Sequence, residues 1–147
     1  MALRERLSDE MKEAMKARDD LRLSAIRLIR SAVKNKDIEL KRELAEQEIV
    51  EVIASLVKQR RESIRLFGEA GRQDLVEKEE KELAVLLGFL PQQLSREDVA
   101  ELVDRIIAES GAQGGKDMGR VMKALMPHVA GRADGKMVSD IVKEKLG

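Results

Sequence analysis

Lys116, Arg120 and Lys123 recur at i, i+4 and i+7, and Arg132 and Lys136 follow across a glycine-containing turn. At about 100° per residue the first three share one side of a helix. Met118, Val121, Met122, Leu125 and Val129 fall on the opposite side and supply an apolar stripe. Five cations around one helix and one turn read either as ordinary solvated surface charge or as a face for ion pairing with phosphate oxygens. Residues 114–136 hold five Lys/Arg against two acids. A second basic stripe, Arg27, Arg30, Lys34 and Lys41, lies within residues 22–42, where seven Lys/Arg face two acids. Residues 74–82 run the other way, with five acids and two lysines.

Arg60 is the one charge that the helical phase places inside an apolar stripe, between Leu56 and Ile64. An arginine there needs a partner, because burying an unpaired charge is costly. If the chain turns back near Gly71, Glu82 faces Arg60 and Glu79 lies one turn away, so a partly buried structural ion pair is expected. No catalytic constellation accompanies it. There is no cysteine, and His128 is the single histidine. The serines lack an evident base, and Gly114-Gly115-Lys116 follows a loop, not the strand that a phosphate-binding loop requires. The sequence carries no metal-ligand cluster and no cofactor motif, so neither is expected.

The elements that position these residues read as helices. Hydrophobic residues make up 43% of the 147 and charged ones 38%, with two Phe, no Tyr and no Trp, so the core must be aliphatic. With only two prolines, that composition favours helix. The stripes predict helices over 2–17; from Asp19 or Asp20 to about 41, with Leu21, Ala25, Leu28, Ile29, Ala32 and Val33 inward; over 46–69, with Ile49, Val52, Ile53, Leu56, Ile64 and Phe67 inward; and over 72–88, with Leu75, Leu83, Leu86 and Leu90 in line. Pro91 closes this part, and Gly88–Leu94 reads as a linker. Ser95-Arg-Glu-Asp signals a new helix start, Gly111 stops that helix, and two shorter helices follow, the first capped by Asp117 and the second by Asp134. The methionines Met118, Met122 and Met126 read as core filler. Gly119, Gly131 and Gly135 read as permitting close packing or tight turns. The expectation is an all-α protein, with an N-terminal bundle of long helices over 1–90 and a compact three-helix tail over 95–147.

Several stretches carry a resemblance. Gly119-Arg-Val-Met-Lys, Gly131-Arg-Ala-Asp and Val138-Ser-Asp-Ile-Val resemble the C-terminal tail domain of the YqeY family. The likeness continues through Lys58-Gln-Arg-Arg-Glu-Ser, Gly71-Arg-Gln-Asp-Leu-Val-Glu-Lys-Glu and Phe89-Leu-Pro-Gln-Gln-Leu, in family order. A similar tail occurs in GatB, a component of the tRNA-dependent amidotransferase. The resemblance implies an all-helical fold and a non-catalytic, tRNA-interacting accessory module, with Lys116, Arg120, Lys123, Arg132 and Lys136 as RNA contacts. It also brings an association with carbon–nitrogen ligase chemistry using glutamine as amide donor. That chemistry needs an activated nucleophile and phosphate ligands, and no residues here supply them. The alternative is a helical adaptor for a protein partner in translation. Net charge is formally zero, 28 basic against 28 acidic residues, so any RNA binding is expected to be weak. With no apolar run of spanning length and a charged start at Arg4, Glu5 and Arg6, a cytoplasmic location without membrane contact is expected.

Overall fold

The structure, a computed structural model, describes residues 2–147. Among these residues it is all-α: α1 Leu3–Ala17, α2 Asp20–Leu40, α3 Glu46–Glu69, α4 Gln73–Leu87, α5 Arg96–Ser110, α6 Met118–Val129 and α7 Gly135–Leu146, with a 3-10 turn at Gly115–Asp117. Among the described residues no helix is long and apolar enough to cross a membrane. The chain divides into two compact units, Met1–Leu90 and Pro91–Gly147.

In the first unit, Leu7 of α1, Ile26, Ile29 and Val33 of α2, Ile49, Val50, Ile53 and Val57 of α3, and Leu86 of α4 form one aliphatic core. The phase of α2 differs from the expected one. Ile26 is fully buried, whereas Leu28 is 37% exposed, because the 26–29–33 stripe faces the core and rotates Leu28 to its edge. Similarly, Val50 and Val57 replace Ile64 and Phe67 as the deep residues of α3. Both α1 and α2 end in a left-handed residue that is not glycine, Arg18 (φ 55°) and Lys41 (φ 57°). At each end the next amide bonds back to a carbonyl five residues earlier, Asp19 to Ala14 and Arg42 to Asp37. A cation there meets the negative end of the helix dipole, which offsets part of the backbone strain.

Charged side chains lock the ends of this bundle. The Glu46 carboxylate accepts the Leu3 amide at 3.0 Å and so caps α1 from the start of α3. Arg4 grips Asp37 through both terminal nitrogens (3.0 and 3.1 Å), and Asp37 also accepts the Leu44 amide at 2.8 Å. The Arg4 hydrogen bond, then the Leu44 amide, hold the Asp37 carboxyl below its usual range. At the start of α3, Glu48 accepts the Ala45 amide and a two-pronged Arg42. This is half of a capping box, since Ala45 offers no side-chain oxygen. Arg42 first, then the amide, lower the Glu48 carboxyl from 4.5 to about 2. A carboxyl depressed by folding stabilises the fold above its unfolded value and loses that contribution as it protonates. The first unit should therefore lose stability as pH falls from 4.5 through about 2. Urea melts across that range check it, and Glu48→Gln should show a smaller drop than the parent protein.

The α3–α4 hairpin turns at Gly71, which holds φ 71°. Across it the Arg60 guanidinium reaches Glu82 at 2.9 Å and also contacts Glu79. The arginine side chain is 20% exposed and each carboxylate 13%. Removing Arg60 would leave two half-buried carboxylates facing each other. Arg60→Ala should cost about 2–3 kcal/mol, below the 3–5 of a fully buried pair because some solvent reaches the site. A lower urea midpoint at unchanged slope is the reading expected.

The expected Gly88–Leu94 linker is corrected by the structure. Gly88 ends α4, and its carbonyl accepts Arg6 at 2.8 Å. Phe89 is 2% exposed and belongs to the first core, with Leu90 packed against it. The one aromatic ring available at this end serves as a plug that proline then terminates.

Candidate nucleic-acid interface

The second unit is built on Val99, Val103 and Ile106 of α5, Val121, Leu125 and Val129 of α6, and Val138, Ile141 and Val142 of α7. Ser95 caps α5 through the Asp98 amide (3.1 Å), and Asp98 returns the bond to the Ser95 amide (3.0 Å). Asp134 caps α7 by accepting the Met137 amide. These caps fix where α5 and α7 start, and so where the basic residues between them sit.

Lys116 is not on α6. It sits on the 3-10 turn, because Gly114 and Gly115 delay the helix and α6 begins only at Met118. Asp117 does not cap α6 through its side chain either. Its carboxylate accepts the Gln113 amide at 3.0 Å and pairs with Arg120 at 3.1 Å. The Gln113 amide first, then Arg120 and Lys116, hold the Asp117 carboxyl below its usual range. Lys116, Arg120 and Lys123 are all exposed, as is Lys136 at the start of α7. Arg120 and Lys116 thus flank one carboxylate at the head of α6, with Lys123 further along the helix. Among the described residues Lys116, Lys123 and Lys136 form no ion pair.

Arg132 has a different setting. Its Nε donates to the Gln92 carbonyl at 3.1 Å and its Nη1 to the His128 carbonyl at 3.2 Å. The Leu94 amide bonds the Arg132 carbonyl at 2.7 Å, and the Gln93 amide group bonds the Gly131 carbonyl at 2.8 Å. Residues 92–94 are therefore strapped to the α6–α7 turn, with Arg132 as the buckle and Gly131 at φ 73°. Asp98, Glu101 and Arg105 line the same hollow as Arg132, so its charges balance. The Arg132 guanidinium is already engaged by two carbonyls and is not free for phosphate. His128 is exposed in the last turn of α6, after Pro127.

Glycine and methionine placement adds to this. A Cβ on Gly119 or on Gly135 would meet nothing within 4 Å, so close packing explains neither glycine. In a helix, glycine costs about 1 kcal/mol relative to alanine, yet Gly119 occupies the second residue of α6. The result is a bare strip of backbone beside Lys116, Arg120 and Lys123. Met118 and Met122 pack on the core, but Met126 is 49% exposed and is not core filler. Among the described residues no group of three or more His, Asp or Glu is arranged to hold a metal ion.

A family model described as Yqey-like protein matches residues 4–146, and the chain belongs to that family. Curated relatives share the name "Altered inheritance of mitochondria protein 41, mitochondrial". The one from Kluyveromyces lactis is 40% identical over 107 residues, covering 70% of this chain and 57% of the relative. That from Pyrenophora tritici-repentis is 31% identical over 145 residues, covering 97% and 80%. That from Saccharomyces cerevisiae (strain YJM789) is 37% identical over 87 residues, covering 58% and 47%. The chain spans about half the length of most of these relatives. Their names place them in mitochondria, and the expectation of a cytoplasmic location does not stand.

Proposed function

We propose that this protein is an accessory RNA-binding module that holds the phosphate backbone of a folded RNA at the head of α6 and performs no chemistry of its own. The observation that carries the reading is the exposed, largely unneutralised group Lys116, Arg120 and Lys123 around a side-chain-free glycine strip, with Lys136 nearby. Exposed lysines and arginines on bare backbone favour phosphate over base edges, which makes binding insensitive to sequence. Two phenylalanines and no other aromatic leave little to stack on unpaired bases. The resemblance of the tail to that of the amidotransferase component points to tRNA as the class of RNA. Arg132 is a positioning residue in this reading, holding the turn that presents Lys136.

A neutral chain with three or four phosphate contacts should bind with a Kd of about 1 µM or weaker at physiological salt. Titrating labelled tRNA with the full chain and following fluorescence anisotropy tests the reading. Saturable binding at low salt that weakens steeply as salt rises supports it. No binding at low salt refutes it.

A further inference from the structure

The groove between α1 and α2 lies in the first unit, encloses about 840 Å³ and has a mixed lining. Its floor is apolar, Leu7, Met11, Met15 and Val33, and one rim is Arg27, Arg30 and Lys34. Met15 is 50% exposed, although it sits on the apolar side of an amphipathic helix. Arg4 and Asp37, at one end, neutralise each other. Glu5 is then the lone acid against three cations in the lining. Among the described residues none of the three rim cations has a carboxylate partner. Arg30 instead directs Nη1 at the Met11 thioether, 2.8 Å away. A thioether is a weak acceptor and the Arg30 side chain is exposed, so this guanidinium is free to take a carboxylate.

We propose that this groove docks an acidic amphipathic helix from a protein partner. Apolar side chains of the incoming helix would lie on Leu7, Met11, Met15 and Val33, and its carboxylates would meet Arg27, Arg30 and Lys34. The rim cations stand at i, i+3 and i+7, which spans about 10 Å of helix. Acids spaced three and four apart on a second helix repeat along its axis with the same period. Flexible methionines suit a floor that must adapt to a partner, and a carboxylate would replace the Met11 sulfur as the Arg30 acceptor. The apolar floor favours protein over RNA here. Phosphate gains nothing from Leu7 and Val33, and the groove has no ring on which a base could stack.

The test uses the full chain and a fluorescein-labelled helical peptide of about 18 residues, long enough for five turns. It carries a leucine stripe flanked by glutamates at i, i+3 and i+7; a second peptide has lysine at those three positions. The wild-type protein should bind the glutamate peptide at least ~10-fold more tightly than the lysine peptide. Arg27→Glu/Arg30→Glu/Lys34→Glu should invert that preference while its circular dichroism and melting curve stay wild-type-like, because all three side chains are exposed. Met15→Ser should weaken the glutamate peptide severalfold. Charge reversal at Lys116, Arg120 and Lys123 should leave peptide binding unchanged, which separates this surface from the RNA reading. The proposal is overturned if neither peptide binds up to ~1 mM, about the limit of a useful contact. It is equally overturned if the preference does not follow the rim charges. Loss of tRNA binding on reversing Arg27, Arg30 and Lys34, without peptide binding in the wild type, would make the groove an RNA surface instead.

Discussion

Phe89→Ala will destabilise the first unit by about 3–5 kcal/mol, the range for truncating a buried aromatic residue. Phe89 is 2% exposed and packs in the same cluster as Leu86 and Ile53. Truncation removes core volume where three helices converge. It also removes a ring that two arginines cover: the Arg6 guanidinium lies 4.5 Å from the ring centroid and that of Arg22 lies 5.8 Å away. Glu10 contacts both guanidinium groups and holds them in place. Each such cation–ring contact adds about 0.5–1 kcal/mol at a partly exposed site. In a unit of this size the melting temperature should fall by more than about 10 °C. Phe89→Leu, which keeps most of the volume but not the ring, should fall between the two. A melting temperature within about 3 °C of the wild type for Phe89→Ala would show that the ring is not part of the core.

The fate of Phe89 shows what the sequence leaves illegible. A proline two residues on and a glycine before it read as a connection, and local signals do not say which core a single aromatic residue enters. Where position depends on period and turn alone, more is legible. The all-α class follows from stripes of aliphatic residues, and the Ser95, Asp134 and Gly131 boundaries follow from capping chemistry. The Arg60 cluster requires only the register of one hairpin, and Gly71 fixes it. Leu28 and Ile26 lie about 200° apart in phase, so either one fits beside Ile29 until the neighbouring helix selects a face. In the tail, spacing identified the basic residues but not their surroundings. Two glycines shift Lys116 off the helix, and tertiary carbonyls claim Arg132. The groove between α1 and α2 was half visible, as the Arg27, Arg30 and Lys34 stripe. Its apolar floor comes largely from a different helix and becomes apparent only when the two pack.

Reversing three charges at the head of α6 has the largest expected effect on function. Lys116→Glu/Arg120→Glu/Lys123→Glu removes the three proposed phosphate contacts and turns a locally cationic surface anionic, with Asp117 already present. Wild-type affinity with about three contacts should fall roughly 50-fold between ~50 and ~200 mM salt, from a log–log slope near −3. The triple variant should bind too weakly to titrate at either salt concentration. Its helicity should match the wild type, since none of the three side chains is buried. Arg132→Glu is a different case. It breaks the two carbonyl bonds that strap residues 92–94 to the turn and sets a carboxylate beside Asp98 and Glu101, so it should lower the stability of the second unit even without RNA. A stability assay therefore distinguishes positioning at Arg132 from contact at the other four residues.

Mapping residue by residue where tRNA touches the chain is the direct test of the proposed interface at the head of α6. Amide chemical shifts of the ¹⁵N-labelled full chain, followed during titration with tRNA, give that map. Saturable shifts are expected to concentrate on Gly114–Lys123 and around Lys136, with the α1 and α2 amides unmoved. Shifts confined to Arg27–Lys34, or no shifts at low salt with tRNA in excess, would contradict it.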